Sequence, residues 1–477
     1  MGHVDGESRY QRLLLAPSLD EVVDAAHPVR VIDAFIDALD LGALGFSKVV
    51  AEATGRPPYR PGDLLKLYVY GYAQQMRSSR RLEREAMRNI EVHWLVNRVS
   101  PSFKTIADFR KDHAAAIMGV TRAFVQFCRT QQLYDGVLVA IDGSKVEAVA
   151  SRKKVITPKS LEKQLAGLES KIAAYLAAMD EADRAEGSAE AGPGDVAAAL
   201  EVLRVQREEV RAQAKALADK GLSQRVVGEE DARLMKTARH GHQVAYNAQT
   251  AVDAKHGLVA AFDLVNEGND QRQLLPMAEA AQEALEAEAL TAVADKGYSS
   301  GEQGEACRAL GITAVVPRQK TVNTKNQALF SRDAFTYDVD SDSWTCPAKE
   351  TLALTGIDRV QQKKLYTAKA CAGCALKPQC TDAKKGRLIV RHFYEDAREA
   401  MHQRALMDRT AMKHRRELVE HPFGIMKWMM GYPRFLVRGL EKAKSELALT
   451  VLGFNMTRAV TILGVPALLE ALQPGPA

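Results

Sequence analysis

The clearest periodicity in the chain lies between residues 160 and 218. Leu161, Leu165, Leu168, Ile172, Tyr175 and Met179 advance in alternating steps of four and three, and Val196, Leu200, Leu203, Arg207, Val210, Ala214 and Leu217 repeat the pattern. That spacing predicts two helices. The Gly-, Pro- and acid-rich EADRAEGSAEAGPGD between them predicts a loop, so the segment reads as an antiparallel coiled-coil hairpin. On either side the pattern is that of strands. VLVAIDGSK (137–145) sets an apolar run before Asp142, HQVAYNAQTAVDA and GLVAAFDLVN flank a turn-like KHG, and LTAVADKGYSS again runs apolar into an acid, Asp295. Helical DQRQLLPMAEAAQEALEAEA and SGEQGEACRALG separate these strands from one another and from ITAVVPR. Strand, insertion, strand, strand, helix, strand, helix, strand describes an α/β domain interrupted after its first strand.

Upstream, residues 60–130 predict several short helices. Leu64, Leu65, Leu67, Tyr68 and Tyr70 begin one, Ser79 is placed to cap RRLEREAMRNIEVHWLVNR, and Thr105 with Asp108 forms a capping-box variant opening IADFRKDHAAAIMGVTRAFVQF. Short basic helices joined by turns suit a helix-turn-helix DNA-binding module or a plain helical packing domain. The expected organisation is multi-domain. A helical N-terminal DNA-binding domain spans 1–132, and an α/β core begins with 133–150 and 236–319. A coiled-coil insertion fills 151–235, a small Cys-containing β-rich insertion 320–392, a helical C-terminal part of the core 393–464, and a tail 465–477.

Composition changes this picture little. Of 477 residues, 26% are charged and 46% apolar, which excludes wholesale disorder. The N-terminus lacks the features of a secretory signal, and the apolar TVLGFNMTRAVTILGVPALLEAL is broken by Asn455, Arg458 and Pro466, so a cytoplasmic protein outside the membrane is expected. The charge distribution is more informative. Residues 56–112 hold 12 Lys/Arg against 6 Asp/Glu, and residues 384–444 hold 15 against 7. Such segregation marks either a polyanion partner or solvated helix faces.

Asp142 has two readings. Asp-Gly between alternating apolar runs is a hairpin-turn signal, yet a strand-end carboxylate is also where open α/β sheets display chemistry. Asp295 strengthens the second. Two carboxylates brought together repel unless a cation lies between them, and hard oxygen ligands suit Mg²⁺ or Mn²⁺. A third acid would complete a two-metal site. KHRRELVEHPFGIMKW supplies Glu420, four residues after Arg416 and so on the same helix face. Lys427 follows seven residues later, with Pro422 making helix continuity between them doubtful.

Four of the six cysteines cluster as Cys346, Cys371, Cys374 and Cys380. The pattern is that of a structural zinc site of irregular spacing or of reduced thiols in a small insert. Cys128 and Cys307 read as core residues, His240 and His242 as surface histidines, and Phe335, Tyr337 and Trp344 as packing residues.

On these residues the sequence resembles bacterial insertion-sequence transposases of the DDE type, which have a ribonuclease H-like core. AIDGSK and ADKGY are similar to the family's first and second aspartate motifs. Arg416, Glu420 and Lys427 match its pattern of Tyr, two residues, Arg, three residues, Glu, six residues, Lys, with Lys413 standing where the tyrosine would be. Within the family the chain looks most like insertion-sequence group eleven-eighty-two. The resemblance implies Asp142, Asp295 and Glu420 as a triad holding two Mg²⁺ or Mn²⁺ ions, with Arg416 and Lys427 on DNA phosphates. It also implies cleavage at the element's ends, transfer of the 3′-hydroxyls to target DNA, and a homodimer or larger assembly on DNA in the bacterial cytoplasm, near the nucleoid. The alternatives are a domesticated, non-catalytic DNA-binding protein or another metal-dependent nuclease on the same core.

Overall fold

A computed structural model describes residues 18–50, 57–184, 193–237, 241–319, 329–429, 431 and 434–473. His240 lies outside them, and His242 is exposed.

Among the described residues, the N-terminal part holds seven helices: α1 (Leu19–Val22), α2 (Val29–Asp37), α3 (Pro61–Ala73), α4 (Ser79–Arg88), α5 (Ile90–Leu95), α6 (Phe103–Asp112) and α7 (Ala114–Thr130). Two stretches expected as single helices are each divided. Asn89 leaves helical geometry and caps α5 by accepting from the Glu91 N–H, while Ser102, not Thr105, caps α6, which stops at His113. Short polar side chains that bond their own backbone compete with helix continuation, and Asn89 sets the α4–α5 boundary in this way against the apolar period. The buried Leu65, Leu67, Tyr68 and Tyr72 make α3 the centre of this packing.

The core begins with β1 (Leu138–Glu147). A two-strand ribbon follows, β2 (Val155–Ile156) with β3 (Arg225–Val226), and between its strands stand α8 (Pro158–Arg184) and α9 (Pro193–Asp219). Leu161 packs with Leu217, and Glu169 meets Arg211 at 3.4 Å, so the two helices run antiparallel as their heptads require. The main sheet then continues with β4 (Arg233–Thr237), β5 (Gly241–Asp253), β6 (Val259–Val265), β7 (Leu290–Ala294) and β8 (Ile312–Val315), with α10 (Leu274–Leu285) and α11 (Gly301–Ala309) as its crossovers. Its order is β4-β5-β1-β7-β8, with β6 beside the second half of β5. β5 is antiparallel to β1, β4 and β6, while β7 and β8 run parallel to β1.

A second, antiparallel sheet holds β9 (Thr336–Asp338), β10 (Ser343–Thr345), β11 (Thr351–Asp358), β12 (Lys363–Thr367) and β13 (Leu388–His392), with the short α12 (Lys377–Cys380) before the last strand. Phe335, Trp344, Leu352, Tyr366 and Ile389 form its own core, with Tyr337 packed against it. The chain closes with α13 (Glu395–Met407), α14 (Arg409–Gly424), a π turn at Ile425–Met429, α15 (Leu440–Leu463) and α16 (Val465–Leu472). The last of these is helical where a tail was expected. α15 is long and apolar enough to cross a membrane by length and composition alone, but 67% of its most apolar window is buried inside the fold.

Strand alternation sorts the core into layers. Val139 and Ile141 of β1 point into the large core shared with α7, α10 and α15, whereas Ala140 points the other way, against Leu418 and Val419 of α14. Val293 and Val315 do the same beneath α13 and α14. The face of the sheet under α14 therefore receives Asp142, two residues on from Ala140.

Candidate active site

β1 does not end at Asp142, nor does the Asp-Gly pair make a turn. The strand runs straight through both residues to Glu147, paired all the way with β5, where Asp142 faces Thr250. What stops is the other neighbour. Parallel pairing with β7 ends at Ile141 and Ala294, so Asp142, still on β1, and Asp295, just past the end of β7, are the residues that follow the last pair. Asp295 caps a short 3-10 turn, Lys296–Tyr298, its Oδ1 accepting from the Gly297 N–H at 2.6 Å. A hairpin reading fails because β5 supplies a partner for the whole length of β1 from a hundred residues away, which local turn chemistry cannot anticipate.

A third aspartate, which sequence reasoning missed, stands beside this pair. Asp270, in the loop between β6 and α10, accepts from Asn247 Nδ2 at 2.7 Å, Gln249 Nε2 at 2.8 Å and Lys145 Nζ at 3.1 Å. Gln249 Oε1 in turn accepts from the Tyr298 hydroxyl at 2.5 Å, which ties β5 to the turn after Asp295. Gly143 is what lets this network come so close. A Cβ there would lie 2.3 Å from Gln249 Nε2 and 2.8 Å from Asp270 Oδ1. Gly143→Ala is therefore expected to destabilise the core by about 1–3 kcal/mol, the usual range for forced overpacking, read as a lower denaturant midpoint.

Burial pushes the Asp142 carboxyl up to about 6; the Arg415 guanidinium and the Gly143 N–H pull it back, and the charges of Asp295 and Asp270 raise it further. Arg415 Nη2 lies 3.2 Å from Asp142 Oδ1. This is the cation that α14 offers the site. Ala411, Leu418, Val419 and Pro422 turn toward the sheet with it, whereas Arg416 and Glu420 form a 2.9 Å ion pair on the outer face, 76% and 64% exposed. The four-residue spacing thus places Arg416 and Glu420 together, but on the side away from Asp142. α14 passes through Pro422 unbroken and then widens into the π turn, from which Lys427 Nζ reaches Ser144 Oγ on β1. A π turn changes the helical phase, so Lys427 faces the sheet although Glu420 does not.

Among the described residues, no group of three or more His, Cys, Asp or Glu side chains is placed to hold a metal ion. The donor chemistry beside Asp142 still suits a hydrated divalent cation. The oxygens are hard, and two buried ones nearby, Asn247 Oδ1 and Thr250 Oγ1, lack partners. In the second sheet, Cys346, Cys371, Cys374 and Cys380 are free thiols lining one small apolar cavity. Burial pushes the Cys380 thiol up, Arg387 opposes this, and the other three sulfurs add to the rise.

Two segments match known families. Residues 345–460 match the model of a Transposase DDE domain, and residues 17–112 that of a Transposase domain (DUF772). The first match takes in Arg416, Glu420, Lys427 and all four clustered cysteines; Asp142 and Asp295 fall between the two. Together they support a DDE transposase, a class that depends on divalent metal. No curated protein matches the sequence. Among solved structures, a piggyBac transposase synaptic complex with hairpin DNA aligns over 94% of this chain and 80% of its own at 8% identity, with a TM-score of 0.32, too low to bear on fold or function.

Proposed function

We propose that this chain is a transposase of the group eleven-eighty-two type, on a ribonuclease H-like core, that cleaves DNA at insertion-sequence ends and joins the 3′-hydroxyls to target DNA. The observation that carries the reading is the placing of Asp142 and Asp295 side by side where the β1–β7 ladder ends. A β5 antiparallel to both β1 and β6, with β7 and β8 then added parallel to β1, supports the ribonuclease H-like assignment of the core.

Asp142, Asp295 and Glu420 are the residues assigned to two Mg²⁺ or Mn²⁺ ions, which when bound supply Lewis-acid activation of the attacking and leaving oxygens. Asp142 presents its carboxylate from within β1, and Asp295 from the capped turn that directly follows β7. Glu420 differs: it is five residues from Arg415, so the two point about 140° apart on a helix of 3.6 residues per turn. Bringing Glu420 to the aspartates requires α14 to turn about its axis, a movement that also withdraws Arg415 from Asp142. Arg416 and Lys427 serve as phosphate contacts, the first by its planar fork and the second as a point charge beside β1. Asp270 holds Lys145, Asn247 and Gln249 so that the strand under Asp142 keeps one geometry.

The test is Mg²⁺- or Mn²⁺-dependent cleavage, by the full chain, of duplexes carrying the DNA that flanks its gene. Cleavage with a free 3′-hydroxyl and its transfer to a second duplex support the reading; binding without cleavage leaves a non-catalytic DNA-binding protein. A dimer or larger assembly is part of the same proposal, since two ends have to be handled together.

The four clustered thiols are assigned to a structural Zn²⁺, supported by their common cavity and by the mutual repulsion a cation would relieve. Metal analysis of the purified chain is expected to give one zinc per chain, lost in Cys371→Ser/Cys374→Ser together with protease resistance of 329–392. A zinc-free protein with the insert intact would sink the assignment.

A further inference from the structure

A cleft of about 520 Å³ opens between the helical N-terminal part and the segment that follows the π turn. One wall is the start of α4 and the last two turns of α6; the other is Leu436–Arg438 with Lys442 at the start of α15. Its lining is strongly cationic, with Asp108 as its acid. Two of the cations are committed to the fold. Arg77 is buried against Glu446, and Arg110 donates to the Tyr72 hydroxyl at 3.0 Å. The others are displayed at the surface. Arg80 lies over the Phe103 ring, Lys111 has only the exposed Asp112 at 3.7 Å, and Arg80, Arg438 and Lys442 form no salt bridge among the described residues. Arg80, Arg438 and Lys442, exposed and outside any such salt bridge although Arg438 also acts on Glu229 at longer range, are the kind of cations a polyanion site requires, because each phosphate bound there releases condensed counterions.

The position of the cleft relative to the aspartates gives this charge a register. The Phe435 N–H donates to the Glu147 carbonyl at 2.9 Å, and Arg434 bridges to Glu147, so the segment bearing Arg438 hangs from the far end of β1. Asp142 lies five residues back on that strand, with the Lys427–Ser144 contact between. At about 3.3 Å per residue the separation along β1 is ~17 Å. Duplex DNA rises about 3.4 Å per base pair, so about five base pairs reach from Asp142 to the end of β1 at Glu147, and the cleft starts past that point, at Leu436, the residue after Phe435.

We infer that this cleft binds the phosphate backbone of duplex DNA about five or more base pairs from the phosphate held at Asp142 and Asp295. The inference rests on the transposase reading and adds a site to it. Arg80, Arg438 and Lys442 clamp the backbone from two sides, one wall belonging to the helical part and the other to the core, so that bound DNA spans the junction.

The test measures affinity of the full chain for flanking-DNA duplexes across a salt series, with Arg80→Gln/Arg438→Gln/Lys442→Gln beside the wild type. The expected result is at least tenfold weaker binding near 0.1 M salt and a log–log salt slope smaller by about 2–3, the change expected for three phosphate contacts. The charge-keeping set Arg80→Lys/Arg438→Lys/Lys442→Arg is expected to restore the slope, which separates lost phosphate contacts from misfolding. Unchanged affinity and slope in the Gln variant, with wild type binding normally, overturn the cleft and leave the transposase reading standing. Failure of the wild type to bind any duplex overturns both. Register is read separately by Lys442→Cys and duplexes bearing a thiol tether at successive phosphates. Disulfide capture roughly five or more base pairs from the cleavage point supports the placement, and capture only closer than that overturns it.

Discussion

Asp142→Asn and Asp295→Asn are each expected to lower metal-dependent strand cleavage by about 1000-fold, ~4 kcal/mol of activation free energy, while duplex affinity changes by less than about twofold. The size follows from what Asn removes. It keeps the shape and one oxygen of the carboxylate but loses the charge that makes the site attractive to a divalent ion. The fold should tolerate both changes. Asp142 is not a turn residue on which chain reversal depends; its backbone is held by β5, and its side chain meets Arg415 just past the point where the β1–β7 pairing stops. Asp295 makes one capping contact, to the Gly297 N–H, which an Asn oxygen can also accept. Glu420→Gln belongs in the same series: equal loss there would place Glu420 in the reacting complex despite its outward position on α14. Cleavage retained by either aspartate variant would remove that residue from the site.

Arg77→Met is expected to cost about 3–5 kcal/mol of stability, the typical result of stripping a buried carboxylate of its partner. Glu446 is 0% exposed and Arg77 8% exposed, and their 2.9 Å contact lies between the helical part and α15. Arg77 also donates to the Arg434 carbonyl at 3.1 Å and the Gly431 carbonyl at 2.6 Å. One guanidinium thus holds together α15, the segment leaving the π turn and the end of α3. Burial pushes the Glu446 carboxyl up, Arg110 and Arg77 oppose this, and the N–H groups of Leu436 and Val437 help them. Denaturant unfolding followed with limited proteolysis checks the expectation. The loss should appear as earlier cutting at the junction of the two parts, and a change below about 1 kcal/mol would mean that Arg110 alone is enough to neutralise Glu446.

The elements of the core were readable because their periods are local: the α8/α9 seam, the β5–β6 run around its turn, and the alternation of β7, α11 and β8 follow directly from apolar spacing. What surrounds Asp142 was not readable to the same degree. Asp270 sits in a loop whose EGNDQ gives no periodic signal; its place beside Asp142 depends on β5 delivering Asn247 and Gln249 across the sheet. Arg415 carried a usable signal that spacing to Glu420 obscured. Ala411, Arg415, Leu418, Val419 and Pro422 follow the apolar helical period, so the inward face of α14 runs through Arg415 and leaves Arg416 and Glu420 outside. Helix division at Asn89 and His113 was missed because apolar periodicity continues across both; a side-chain cap marks the break at Asn89, while His113 makes no capping bond to α7.

The β2–β3 ribbon has a consequence for how this chain folds. β1 cannot find β5 until the intervening polypeptide has been made, and a flexible loop of that length would add to the entropy of closing the sheet. Two antiparallel helices form from neighbours in sequence on a far shorter timescale than distant strands pair. Once they zip and Val155 meets Val226, the chain entering and the chain leaving the insertion are already adjacent. To the nascent sheet, the hairpin then behaves as a short link, whatever its reach into solvent. Whole heptads can be added at its tip or taken away without altering the topological problem the core has to solve.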